Sequence, residues 1–211
     1  TRQARDQRVF AVVRELLASH GMQLSMETVA QHVGCSKQTL YSRFGSKQEL
    51  MRQVLDQHVG TTFALLDAPQ GEPLHQTLVE FAISFLAHRA QPRVIQACLQ
   101  IAADSRQFPD QARQLYRDGA EQLQARVAEW LAAAVGRGEL RHDDPHFMAE
   151  MLLSMIGGLD FERQRFHTPH RADAAERQRW AEFSVASFLR AFAPDKEPGT
   201  PLHSYQYRSF S

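Results

Sequence analysis

Apolar side chains recur every three or four positions along most of the chain, and no stretch alternates apolar with polar over a useful length. That period predicts helices throughout and no sheet. Val9, Val12, Val13, Leu16 and Leu17 share one face of a first helix over about 3–19, which stops at His20-Gly21, where glycine can take the left-handed conformation that closes a helix. Ser25 can cap a short second segment with Val29, Ala30 and Val33 inward; Gly34 turns the chain, and Ser36 can cap a third with Leu40 and Phe44 inward. Ser46-Lys47-Gln48-Glu49 is a capping box opening a fourth helix, which carries Leu50, Val54 and Leu55 into a break at 67–73. Five further helices are expected over about 74–89, 92–106, 109–135, 145–165 and 172–193, three of them opening on proline. The fold class is therefore all-α. It divides into a three-helix helix-turn-helix domain with its linking fourth helix (1–67), a larger helical domain (68–193) and an aperiodic, flexible tail (194–211).

Composition narrows the possibilities. At 43% hydrophobic and 23% charged residues the chain is an ordinary globular protein. Lys+Arg and Asp+Glu both number 24, which excludes nucleic-acid binding through overall basicity and requires a local patch instead. Residues 1–60 hold eight basic side chains against five acidic ones, so the positive end lies with the short helices. Cys35 and Cys98 are too widely spaced for a disulfide framework or a Cys-rich zinc module, and no apolar run reaches the ~20 residues a membrane span needs. A cytoplasmic location without membrane association is expected. The chain opens without Met, which implies that a short basic arm precedes it.

Two short helices around a glycine turn, followed by a capped longer helix, suit a helix-turn-helix, whose second helix must present an exposed N-terminal edge to a major groove. With Leu40 and Phe44 inward, Lys37, Gln38, Tyr41 and Ser42 face outward and Thr39 sits at the border. Gln38 suits a bidentate contact to adenine, and Lys37 a contact to guanine or phosphate. Arg43 and Lys47 add charge, Ser36 stands at the start of the reading helix, and Ser25 and Thr28 sit where the preceding helix would cross the DNA backbone.

The stretch TVAQHVGCSKQTLYSRFGSKQELM resembles the DNA-binding region of TetR-type transcriptional regulators over about residues 5–55, through Val29, Ala30, Gly34, Ser36, Lys37, Thr39, Leu40, Tyr41, Phe44, Ser46, Lys47 and Leu50. The resemblance implies that Ser25, Thr39, Tyr41 and Lys47 clamp phosphates while Lys37, Gln38 and Ser42 face the groove. Cys35 replaces the customary Val, and Gln38 stands where Gly is common, which should alter operator preference. Downstream, FPDQARQLYRDG and RGELRHDDPHFMAEMLLSMIGGL resemble the regulatory domain of the AefR-like subgroup. What this implies is a homodimeric, ligand-responsive repressor that binds a palindromic double-stranded DNA operator and is released by a small effector, with the last two long helices of each subunit forming a four-helix bundle.

The residues support a dimer independently. Phe147, Met148, Met151, Leu152, Met155, Ile156 and Leu159 wrap more than one face of their helix, as do Trp180, Phe183, Phe188, Leu189 and Phe192, and Gly157-Gly158 would permit close approach. Phe81, Phe85, Ile95, Leu99, Phe108, Tyr116, Met151 and Met155, with Gln96, Tyr116 or Asp160 as polar contacts, are candidates to line an apolar effector pocket.

Other signals compete. His142-Asp143-Asp144-x-His146 and His167-x-x-His170 have ligand-type residues at short spacing, so a helical metal-binding protein or enzyme is the alternative reading, although acidic residues at a helix start serve equally as caps. No nucleophile elbow, phosphate loop or dinucleotide fingerprint occurs, so neither enzymatic activity nor a cofactor or metal is expected.

Overall fold

In a computed structural model, residues 2–64, 66, 73–168, 171 and 173–194 are described, and all regular structure among them is helical. The interval 67–72 and the tail beyond 194, with its expected flexibility, lie outside the described residues. Helix α1 spans Arg2–His20, and a 3-10 turn, Gly21–Gln23, leads to α2 (Met26–Val33), α3 (Lys37–Phe44) and α4 (Lys47–Phe63). The remainder comprises α5 (Leu74–Arg89), α6 (Pro92–Asp104), α7 (Pro109–Tyr116), a π-helical segment Arg117–Glu121, α8 (Gln122–Gly136), α9 (Pro145–Gly157), α10 (Asp160–Arg165) and α11 (Ala174–Ala191). No helix among the described residues is long and apolar enough to cross a membrane.

Helix ends fall where side chains can satisfy the orphan N–H groups of a first turn. Ser25, Ser36 and Ser46 accept from the backbone N–H of Thr28, Thr39 and Glu49, which starts α2, α3 and α4. Asp144 does the same for α9, accepting from His146 and Phe147, and Asp173 for α11, accepting from Glu176. Of the two acidic residues before α9, Asp144 is thus the cap, while Asp143 accepts the Asp144 N–H and pairs with Arg141.

Two expected helices are interrupted. The stretch expected as one helix over 109–135 carries the π segment, where Asp118 turns inward to accept from Gln114 Nε2 at 2.9 Å and Gly119 faces Leu55 of α4. The stretch expected over 145–165 breaks at Gly158, which has φ +52°, and the space a Cβ would need is filled to 3.0 Å by Arg171 and Trp180 of the same chain. This glycine accommodates its own subunit, where the sequence suggested approach by a second one. Arg171 closes the corner: its guanidinium stacks on Trp180 at 4.2 Å and pairs with Asp160 at 2.6 Å.

The apolar periodicity produces two buried clusters. One joins α1–α4 through Val13, Leu16, Val29, Leu40, Phe44, Leu50 and Val54. The other joins α5, α8, α9 and α11 through Leu78, Phe81, Leu131, Met148, Leu152, Ile156 and Phe188. Between them, α6 lies along α1, and Ala97 and Leu115 pack against the N-terminal cluster.

The seam is polar where it meets the 3-10 turn. Asp104, at the last position of α6 and only 7% exposed, accepts the Met22 N–H at 2.9 Å and Gln100 Nε2 at 3.2 Å. Lys47 Nζ, at the start of α4, donates to the Met22 carbonyl at 2.7 Å, and burial there lowers the lysine's pKa. Asp104 approaches so closely because residue 21 is glycine: at φ +52°, a Cβ would collide with Asp104 Oδ2 and come within 2.6 Å of Gln100 Cγ.

Gly34 also has a left-handed backbone, φ +79°, yet nothing lies within 4 Å of its hypothetical Cβ. Gly34→Ala is therefore expected to cost about 1 kcal/mol from backbone conformation alone. Gly21→Ala, which adds a collision, should cost about 3 kcal/mol. Urea denaturation of the two variants should separate them in that order.

Candidate nucleic-acid interface

Helix α3 is anchored on one side and open on the other. Leu40 and Phe44 are buried, the latter against Phe10 with ring centroids 5.9 Å apart, while Lys37, Gln38, Thr39, Tyr41 and Ser42 are exposed. Tyr41 is among the large side chains left facing water, at 43% exposure. The four residues nominated for the outer edge thus share a solvent-facing surface. Thr39 joins them at the rim, where its hydroxyl lies 2.7 Å from that of Ser36 and its N–H is capped by the same oxygen.

The N-terminus of α2 repeats this arrangement. Ser25 Oγ accepts the Thr28 N–H at 3.1 Å and lies 2.9 Å from Thr28 Oγ1. His32 pairs through Nδ1 with the Thr28 carbonyl at 2.8 Å. Exposed hydroxyls at the starts of two successive short helices, beside backbone N–H groups at the positive ends of helix dipoles, are suited to anionic oxygens. Cys35, in the connection, packs half-buried against the N-terminal cluster, as the small apolar residue expected there.

Two nominated cations are engaged inside the domain. Arg43 forms an ion pair with Asp6 of α1 and donates to the Arg2 carbonyl at 3.2 Å; the hydrogen bond it donates to the Asp6 carboxylate raises its pKa. Lys47 is directed at the Met22 carbonyl. Both side chains brace the fold, so the cation displayed on α3 is Lys37, which has a distant ion pair with Glu27 at 3.8 Å. Arg43 in turn ties the first turn of α1 to the end of α3, so the exposed Arg2, Arg5 and Arg8 belong to the same end of the domain. Sequence periodicity gave no sign of this, because it needs a contact across thirty-seven positions.

The nominated effector residues do not form one group. Phe81 is completely buried and, with the half-buried Phe85 and Met155, belongs to the C-terminal cluster. Ile95, Leu99 and Phe108 are half-buried on α6 or just before α7. Gln96, Tyr116 and Met151 face solvent, Tyr116 at 61% exposure, and Asp160 is held by Arg171. A narrow cleft at the seam is lined instead by Met22, Lys47, Met51, Gln114, Leu115 and Asp118, none of them nominated for an effector. Among the described residues no three or more His, Cys, Asp or Glu side chains converge in a way that could hold a metal ion; His170 lies outside them.

Residues 10–54 match the family model for bacterial regulatory proteins of the tetR family, and residues 76–194 match the C-terminal domain of AefR-like transcriptional repressors. A TetR-family transcriptional regulator of Mesorhizobium loti superposes with a TM-score of 0.72 at 25% identity, covering 92% of this chain and 99% of that one. The flavonoid-responsive regulator FrrA superposes at 0.65 with 27% identity, covering 92% and 100%. A TetR regulator of Agrobacterium tumefaciens shares the fold at 0.67 with 22% identity, covering 90% and 95%. No curated protein shows significant sequence similarity to the chain.

The capping geometry gives a direct test of how α3 is held. Ser36→Ala removes the oxygen that satisfies the Thr39 N–H and should lower stability to urea by about 1 kcal/mol, whereas Ser42→Ala, on the exposed edge, should leave it within ~0.5 kcal/mol.

Proposed function

The chain belongs to the TetR family of bacterial regulatory proteins, with an AefR-like repressor C-terminal domain, and from this premise we propose that it acts as a dimeric repressor whose hold on a palindromic operator is released by a small effector. As a TetR-family transcriptional regulator it is not an enzyme. Residues 1–67 would form the DNA-binding unit and its link, and 68–193 the effector-binding and dimerisation unit; the site of action would be the cytoplasm.

The observation that carries the reading is the exposed edge of Lys37, Gln38, Tyr41 and Ser42 on a helix fixed at its start by Ser36 and along its other side by Leu40 and Phe44. In the proposed complex Lys37 and Gln38 reach base edges or phosphate, Ser42 faces the groove, and Ser25, Thr28, Ser36, Thr39 and Tyr41 hold phosphates. Arg43 and Lys47 contribute field and position through their internal contacts more than direct grip. Two copies of α3, about 34 Å apart, would enter successive major grooves.

The pairing surface is the second face of α9 and α11. Phe147 is 71% exposed, Met151 47% and Phe183 61%, an apolar display that a partner copy would bury. The effector, proposed as small and hydrophobic, would enter between the middle helices near Phe85, Ile95, Leu99, Phe108 and Met155. Its signal would pass through α6: a shift at the end of α6 moves Asp104, and with it the Met22 amide and the 3-10 turn on which α2 is mounted. Leverage of the usual 1–3 kcal/mol would change operator affinity about 5 to 150-fold.

Fluorescence anisotropy on a palindrome near the gene, over a salt series, tests the interface. Lys37→Ala should reduce the slope of log K against log salt by about 1, while Gln38→Ala should relax preference at one base pair by about 1–3 kcal/mol. Absence of a specific complex even at low salt would overturn the proposal. For assembly, Phe147→Asp with Phe183→Asp should shift the sedimenting species from dimer to monomer and abolish two-site binding, with helicity retained.

A further inference from the structure

The cleft at the seam contains a carboxylate that the fold leaves half-satisfied. Asp118, turned inward within the π segment and only 9% exposed, lines it together with Lys47 and the apolar side chains of Met22, Met51 and Leu115. Its Oδ1 accepts from Gln114 Nε2 at 2.9 Å, while its Oδ2 takes no hydrogen bond from any described residue. Two cations stand nearby, and both are committed elsewhere. Arg52, which feels the field of Asp118, pairs with Glu49 and Asp56, and Lys47 Nζ is directed at the Met22 carbonyl at 2.7 Å. Gln111 and Gln114 stand exposed at the rim.

A carboxylate can accept about four hydrogen bonds, and one buried with a single neutral donor has given up water for little return. Its place on the helix sharpens the point. Gln111, Gln114, Leu115 and Asp118 fall at i, i+3, i+4 and i+7 along α7 and the π segment, the spacing by which a helix presents one face, and three of the four are polar where that face borders the N-terminal unit. Packing alone would select apolar side chains there. The cleft encloses about 50 Å³, against the ~150 Å³ of an engineered cavity that takes benzene, so it has room for a headgroup and a few carbons but not for an aromatic ring. A compact positive group with several N–H donors and a short apolar stem matches both its charge and its size.

We propose that this cleft is a binding site for a small primary amine, whose ammonium is held by Asp118 Oδ2 and the carbonyl oxygens of Gln111 and Gln114 and whose short alkyl chain rests on Met51 and Leu115. An ammonium offers three N–H donors, and its hydrogen bond to a carboxylate is roughly twice as strong as a neutral one. Gln114 already gives an N–H to Asp118, which leaves its own carbonyl oxygen free to accept. The site is distinct from the effector position proposed between the middle helices. It joins the 3-10 turn and α4 to α7 and the π segment, so an occupant would hold the DNA-binding unit at one angle to the rest. That consequence rests on the repressor reading, whereas binding of the amine does not.

The test is methionine-methyl NMR of the full chain, titrated at constant ionic strength with n-propylammonium chloride, with 1-propanol and tetramethylammonium chloride as further arms. Propylammonium should shift the Met22 and Met51 resonances saturably and leave those of Met148 and Met155 in place. The alcohol, which lacks the charge, and tetramethylammonium, which lacks N–H donors, should each bind at least tenfold more weakly. Asp118→Asn keeps an oxygen for Gln114 and should weaken binding at least tenfold; so should Gln111→Lys, which sets a second cation at the exposed rim. Asp110→Asn, on the exposed side of α7, should not. Unmoved Met22 and Met51 resonances, an equal response to 1-propanol, or full binding in Asp118→Asn and Gln111→Lys would overturn the proposal. Operator anisotropy gives the second readout: propylammonium should change affinity at least fivefold in the wild type and not in Asp118→Asn, and saturable binding without that change would overturn the coupling. A chain that takes the amine but no operator would count against the repressor reading alone.

Discussion

Met22 is gripped at both of its backbone polar groups, and the placement of the DNA-binding unit on the rest of the molecule follows from that grip. Its N–H goes to the buried carboxylate of Asp104 on α6, and its carbonyl to the ammonium of Lys47 on α4. Hydrogen bonds to charged groups are stronger than neutral ones, and leaving a buried carboxylate without its donors is costly, so the three elements are fixed together. Gly21 makes the approach possible by having no side chain where Asp104 sits. Ala97 and Leu115 seal the seam with apolar contact, but it is the polar grip that sets the register between α6 and the turn leading into α2.

That arrangement explains what could be read from the sequence. Ser25, Ser36, Ser46 and Asp144 announce helix starts because capping is a local interaction, complete within three residues, and Asp173 proves to do the same for α11. Leu40 and Phe44 reveal the buried side of α3 for the same reason: the helical period alone decides which face they share. The outer edge of α3 was legible by subtraction from those two. Non-local features were not. The break at Gly158 is set against Arg171 and Trp180, which arrive from beyond the helix, and the π segment at Arg117–Glu121 lies where Gly119 faces Leu55 of α4. Asp104 looked like any polar residue at the end of a helix.

The nominated effector residues illustrate the same limit from the other side. Apolar periodicity locates residues that avoid water but does not distinguish a side chain that fills the core from one that lines a space. Phe81 proves to be core and Met151 surface, although both sit at helical spacing from buried neighbours. Met151 and Phe147 instead extend the apolar character of α9 around to a face the subunit itself leaves open. An amphipathic helix needs one apolar stripe; the second stripe on α9 is the surface proposed for a partner copy.

Charge placement completes the argument. A chain with equal numbers of acidic and basic groups must concentrate cations locally to hold a polyanion, and two of the three cations in and beside α3, Arg43 and Lys47, are directed inward. Their positions are nonetheless useful: by pairing with Asp6 and reaching the Arg2 carbonyl, Arg43 brings the exposed Arg2, Arg5 and Arg8 to the end of the domain where α3 lies. Backbone attraction in the proposed complex then comes from the first turns of α1 and from helix N-termini capped by hydroxyls, leaving Lys37 and Gln38 to discriminate. Separating grip from reading in this way lets a single amide at position 38 govern sequence preference, because the phosphate contacts that supply most of the affinity are indifferent to sequence.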